Sequence, residues 1–207
     1  NEDGTMARRP DLEIFAQEHG LKIGTIADLI HYRTVNERTV EKIRSEKLPT
    51  QYGDFQLELF RDLIDGQSHI ALVKGDVMTV DAPFVRVHVA DPLRDLMMAV
   101  KAKSSGWSLE KALSFLGNHT EPGVVLLLGD SFERHNIDDL VDSFFSGRQP
   151  LRPTTGDGTG IYRTIGTGSQ ILRDLGLTKM RLLSSPMRFN ALSGFDLEIV
   201  EYVESDA

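Results

Sequence analysis

The sequence predicts an α/β or α+β domain built on a mixed β-sheet with flanking helices. Three observations carry that reading. Short runs with period-two alternation recur at close spacing from Gly53 onward. One run, Val124–Leu128, is apolar at every position, as a strand covered on both faces would be. Segments of helical periodicity lie between and after the strands, so both kinds of element share one unit.

The elements follow in chain order. "RPDLEIFAQEHG" predicts a helix: Pro10 falls in the first turn, Leu12, Phe15 and Ala16 make an apolar stripe, and Gly20 stops it. "TIADLIHYR" predicts a second helix with Thr25 as its N-cap. The polar stretch "TVNERTVEKIRSEKLPT" has alternating charge and no aromatic residue. It reads as a linker or an edge strand, and the shift in composition places the domain boundary there, with the linker over 34–46. Strands follow at "DFQLELF", "HIALVKGD" and "FVRVHV". A helical stretch is expected over about Pro92–Ala102, then a helix at "SLEKALSFL" capped by Ser108. After the apolar strand come an amphipathic helix at "NIDDLVDSFF" and a Gly- and Pro-rich loop, "SGRQPLRPTTGDGTG". The tail reads as helix ("SQILRDLG"), strand ("MRLLS"), helix ("PMRFNALSG") and strand ("DLEIVEYV"), with helix stops at Gly176 and Gly194.

Composition narrows the function. The chain has 207 residues, enough for a self-sufficient core, and a net charge of -8. That charge argues against a nucleic-acid or anionic-membrane surface, which needs clustered Lys and Arg. The longest apolar run is far too short to span a bilayer, and the start has no signal-peptide pattern. A cytoplasmic protein is expected. The sequence holds no cysteine, so no disulfide and no thiolate metal site can form. It begins at Asn1 rather than Met, and it reads as a piece of a longer chain.

Two stretches resemble known families. "NEDGTMARRPDLEIFAQEHGLKIGTIADLIHYR", residues 1–33, resembles the C-terminal end of 3,4-dihydroxy-2-butanone 4-phosphate synthase, an enzyme of riboflavin biosynthesis. From about Lys47 to Val203 the chain resembles GTP cyclohydrolase II, on "KLPTQYGDF", "HIALVKGD", "RVH", "SQILRDLG" and "MRLLS". The resemblance implies a synthase tail at 1–33 and a GTP cyclohydrolase II-like domain at 47–207. The synthase family's metal ligands and catalytic groups lie upstream of the "NEDGTMAR" string, so magnesium or manganese belongs to that half and not to this stretch.

In GTP cyclohydrolase II, three cysteines hold a zinc ion, in a pattern reading R-V-H-S-E-C and then C-D-C. The zinc activates the water that opens the guanine ring. Here the first position falls on Asp91, the second on Ala102, and the third on Ser104 or Ser105, depending on where a one-residue insertion is placed. Neutral hydroxyls are weak zinc ligands, so the resemblance implies a lost metal site and no cofactor.

The other reactive positions have also changed. The family's Q-E-G-R-G-I-G-L aligns with "DSFERHNIDDL", which keeps Arg134 and loses the glycines. The catalytic Tyr position falls in "DDLVDSFFSG", where Phe144 and Phe145 carry no hydroxyl. D-x-R-x-[YF] aligns with "IYRTI": Arg163 remains as a vestige, and Ile161 and Ile165 replace its partners. T-N-N-P-x-K aligns with "SSPMR", with Lys replaced by Met187 or Arg188.

The candidate nucleotide or phosphate contacts are therefore Arg86, His88, Arg134, Gly168 and Ser169. Arg86 and His88 read equally well as a paired sheet-edge arginine and a satisfied core histidine. In "IGTGSQ", Gly168 and Ser169 would sit at a helix start, where free N–H groups and the helix dipole favour an anion. The leading expectation is a non-catalytic domain that packs against or regulates the synthase half of the same chain, dimerises with a second copy, and has GTP or a related nucleotide as its candidate ligand. Met97, Met98 and Phe144 are the candidate contact residues. The alternative is an active hydrolase of GTP or a related nucleotide with a rearranged site. The missing cysteines separate the two.

Overall fold

The computed structural model describes residues 4–25, 29, 32–33, 37–64, 66–90, 92–99, 106–129, 159–186 and 196–205, with 159–164 as backbone only. Its described strands form one seven-stranded sheet in the order β1-β2-β3-β5-β4-β6-β7. They are β1 (Val40–Thr50), β2 (Gly53–Asp62), β3 (Ser68–Lys74), β4 (Phe84–Val89), β5 (Gly123–Leu128), β6 (Lys179–Leu183) and β7 (Glu198–Val203). β1, β2, β3 and β5 pair antiparallel. β5, β4, β6 and β7 pair parallel. The sheet is mixed, as the alternating runs predict.

The linker expected over 34–46 is corrected from Val40 onward: the chain there is β1, paired along its length with β2 and bulged between Lys42 and Arg44. Its composition misleads for a physical reason. β1 lies at the sheet edge, and Glu41 to Lys47 all face water, so the strand carries the charges and the bulge that keep an exposed edge from pairing further.

Helix α1 (Arg9–His19) ends at Gly20 in the left-handed region, φ 61°, as "EHG" predicts. A single helical turn, α2 (Pro92–Asp95), is shorter than the expected 92–102. Helix α3 (Leu109–Asn118) starts at Ser108, whose side chain accepts from the Lys111 N–H at 3.1 Å. Helix α4 (Thr159–Asp174) is sixteen residues long and begins well before "SQILRDLG". The expected helices at "NIDDLVDSFF" and "PMRFNALSG", most of that at "TIADLIHYR", and the loop up to residue 158 lie outside the described residues.

The two faces of the sheet bury separate cores. Ala112 and Leu116 of α3 pack with Phe84, Leu72, Val125 and Trp107 on one face. Ile171 and Leu172 of α4 pack with Val85, Val124 and Leu126 on the other. Successive β5 residues alternate between the clusters, which is why "VVLLL" reads as uniformly apolar. The chain leaves β4 over the α3 face to reach β5, then leaves β5 over the α4 face to reach β6. With α3 on one face and α4 on the other, the topology places a switch point at the carboxyl ends of β4 and β5, the position at which open α/β sheets bind ligands.

Lys74, at the end of β3, ties α3 to the sheet. Its ammonium donates to the Leu116 and His119 carbonyls and, at 3.0 Å, to that of Gly117. These carbonyls lie in the last turn of the helix and at its C-cap, where Leu116 also accepts from the His119 N–H at 3.3 Å, and a cation complements the dipole there. Lys74→Met is expected to reduce unfolding free energy by about 1–3 kcal/mol, the range for hydrogen bonds to charged groups. Urea denaturation followed by circular dichroism measures it; an unchanged midpoint would mean that water caps the helix equally well.

Candidate functional site

The candidate site is the carboxyl end of β4, where the alternation in "FVRVHV" puts Phe84, Arg86 and His88 on the α3 face. His88 lies level with Leu127 of β5 and Ile70 of β3. Its Nε2 is 2.7 Å from Asp95 Oδ2, with only 5% and 6% of the two side chains exposed. An ionised carboxylate in this position accepts the ring N–H. The other Asp95 oxygen faces the Leu109 N–H at 3.5 Å, in the first turn of α3. His88 Nδ1 is buried without a hydrogen-bond partner.

Arg86 spans two further pieces of backbone. Nη1 donates to the Leu183 carbonyl at 2.8 Å, at the end of β6, and Nη2 to the Trp107 carbonyl at 3.0 Å. Trp107 in turn donates its indole N–H to the Val203 carbonyl at 2.7 Å, at the end of β7. Burial, with Arg94 beside it and against the pull of Asp95, lowers the Arg86 pKa to about 10. The sign of the linkage follows. Folded and unfolded chains are both protonated below pH 10, so burying the charge is a constant cost in that range. The cost is relieved only as pH rises from about 10 toward the unfolded value.

The bonds of these two residues already serve the fold. A ligand that recruited His88 Nε2 would displace Asp95, and one that drew the guanidinium outward would release Trp107 and Leu183. Arg94 Nη2 also reaches the Gly106 carbonyl at 3.4 Å, so three side chains hold the turn that enters α3.

Gly168 and Ser169 do not lie at a helix start. α4 begins at Thr159, so both are interior and buried, and the free N–H groups expected there are absent. A Cβ at Gly168 would meet Leu126 Cδ2 at 3.7 Å and Leu128 Cδ1 at 3.8 Å. Those are ordinary van der Waals distances, so a Cβ would fit, and the packing of α4 on β5 does not account for a residue that costs a helix interior about 1 kcal/mol relative to alanine. Nearby, the Thr167 hydroxyl donates to buried Asp62 at 2.9 Å. Arg163 lies in α4, with its side chain outside the described residues. Arg134, Asp91, Ala102, Ser104, Ser105 and Phe144 also lie outside them.

Sequence reasoning missed Asp95 and Trp107. A carboxylate seven residues past a strand histidine and the single tryptophan were the available signals, but neither named its partner. A hollow of about 280 Å³ lies at the other end of the sheet, lined by Val77, Met78, Pro83, Gly176 and Lys179. It borders the amino ends of β4 and β6, at the opposite end of the sheet from Arg86 and His88.

Asp95→Ala should leave His88 buried without a partner and loosen the start of α3. A loss of about 2–3 kcal/mol is expected, the range for a buried hydrogen bond to a charged group. Thermal unfolding with Trp107 fluorescence as the probe checks it. An unchanged midpoint and emission maximum would show that the pair does not hold the turn.

The model of the GTP cyclohydrolase II family matches residues 41–204. A 3,4-dihydroxy-2-butanone 4-phosphate synthase of Pseudomonas aeruginosa is 50% identical over 206 residues, covering 100% of this chain and 54% of that protein. The riboflavin biosynthesis protein RibBA of Aquifex aeolicus is 37% identical over 207 residues, covering 98% and 51%. The crystal structure of RibBX, a two-domain 3,4-dihydroxy-2-butanone 4-phosphate synthase from A. baumannii, superposes with a TM-score of 0.61 at 47% identity, covering 100% of this chain and 52% of that one. The chain thus spans about half the length of the curated relatives it matches. By its sheet and by the match over 41–204, the chain belongs to the GTP cyclohydrolase II family.

Proposed function

We propose that this chain is a non-catalytic GTP cyclohydrolase II-type domain of riboflavin biosynthesis, working in the cytoplasm as the structural or regulatory partner of a 3,4-dihydroxy-2-butanone 4-phosphate synthase. That synthase would convert ribulose 5-phosphate to 3,4-dihydroxy-2-butanone 4-phosphate and formate. The observation that carries the reading is the engagement of Arg86 and His88. These two polar residues persist from the family's strand pattern, and their bonds go to Leu183, Trp107 and Asp95.

The donor set does not fit the family's zinc. The chain has no cysteine, and the three ligand positions implied by the resemblance carry Asp91, Ala102 and Ser104 or Ser105, one of which has no side-chain donor at all. Among the described residues no group of three His, Cys, Asp or Glu could hold a metal. His88, the imidazole of that strand, is already bonded to Asp95. No hydrolytic step is therefore assigned here.

The N-terminal segment supports the choice of partner. Residues 4–33 lie outside the family match yet within the alignment to the synthases. They leave Met6, Leu12, Ile14, Phe15, Leu21 and Ile23 exposed, and of α1 only Ala16 is buried. An isolated eleven-residue helix is marginal in water, so α1 needs an apolar surface against it. We assign 1–33 to the end of the synthase domain, and place the boundary just before β1.

Purified protein is expected to carry no stoichiometric zinc and to release no formate from GTP. One chelatable zinc per chain, with formate release lost on chelation, would overturn the proposal in favour of an active hydrolase. In the two-domain protein, truncation before Val40 is expected to lower synthase turnover or its thermal midpoint. Equal rate, midpoint and assembly size in the truncated synthase would make this domain a passenger and sink the partner role.

A further inference from the structure

We infer that Leu96, Met97 and Met98 form a docking knob for the synthase domain, in the stretch where the family holds its metal; this rests on the partner role proposed above. The three are consecutive, and they are 70%, 70% and 66% exposed. Scattered apolar residues on a surface need no explanation, but a contiguous set does.

The chain holds these side chains outward on a braced backbone. The Leu96 and Met97 N–H groups donate to the Pro92 carbonyl at 3.1 and 3.2 Å, and Ala99 N–H donates to that of Leu93 at 2.9 Å. Just before them, Asp95 is gripped by His88 and Arg94 reaches Gly106. Met98 adopts φ 54°, a left-handed conformation that a side-chain-bearing residue takes up only against a steric cost. Exposure thus falls on three consecutive residues and the left-handed backbone on the last of them, Met98.

Size selects the occupant. A self-standing dimer needs about 800 Å² from each partner, whereas a functional apolar patch on a monomer is about 300–600 Å². Three side chains reach only the smaller range. They cannot hold a second copy from solution, but they suffice for a tethered domain, whose effective concentration is on the order of millimolar. The relatives that align along this whole chain are about twice its length, and RibBX is described as a two-domain synthase. The synthase domain is therefore the partner that fits.

The test uses the full two-domain protein with Met97→p-benzoylphenylalanine, photolysed and mapped by mass spectrometry. Cross-links to synthase-domain peptides are expected. Cross-links confined to residues 130–158 of this domain, or to the 92–99 turn of a second copy, would overturn the inference, as would solvent quenching alone. A companion variant, Met97→Glu, should leave the domain's far-ultraviolet circular dichroism unchanged and increase protease cleavage between the domains at least several-fold. No change in cleavage would also count against the knob. The zinc and formate assays do not involve position 97, so failure here leaves the non-catalytic reading standing, while the truncation removes the whole domain and tests the partner role itself.

Discussion

The carboxyl edge of the sheet depends on one buried cation. Arg86 takes hold of the end of β6 at Leu183 and of the turn into α3 at Trp107, and Trp107 passes the connection to the end of β7 at Val203. Short parallel strands such as β6 and β7 have few ladder bonds of their own. A guanidinium suits the junction because its donors are fixed in a plane and hold carbonyls from two separate segments in a set direction, whereas an ammonium is a compact point charge. Burial penalises the charge, as its lowered pKa reflects, and the two carbonyl bonds offset that penalty.

His88 and Asp95 brace the same turn from the other side. A buried hydrogen-bonded pair is a weak source of net stability and a strong source of specificity, because losing one partner strands the other. Here the pair fixes where α2 sits, and hence where the chain heads after β4. In a family whose parent site organises this stretch with a metal, side-chain hydrogen bonds can supply the same positional constraint without the chemistry. Both cores are built of apolar residues away from that pair: one on Phe84, Val125 and Leu116 and the other on Val85, Leu126 and Ile171.

Polar contacts also set how α4 lies on its face. Thr167 meets Asp62, and Gln170 accepts from the Thr39 N–H at 2.9 Å, so the helix is registered against the β1–β2 hairpin by bonds at known positions, while Ile171 and Leu172 supply the burial. The sheet thus has two helices fastened in different ways: α3 by a lysine on its terminal carbonyls, α4 by neutral and acidic partners along its length.

Much of this architecture could be read from the sequence alone. Alternation and apolar runs located the strands from β2 onward, because burial on a sheet face imposes its period on the residues themselves. Ser108 and Gly20 marked helix ends for an equally local reason: the unpaired backbone groups there call for particular side chains. The absence of cysteine ruled out the family's thiolate zinc site without any coordinates. Tertiary structure decided what depends on partners distant in sequence. β1 looks like a linker because an edge strand shows its charges to water, and only its pairing with β2 reveals it. Gly168 and Ser169 look like an anion-binding helix start, and only the extent of α4, which begins at Thr159, shows that both are interior. Arg86 and His88 read equally well as ligands or as braces. Their bonds go to Leu183, Trp107 and Asp95, at separations of 97, 21 and 7 residues that no local pattern can anticipate.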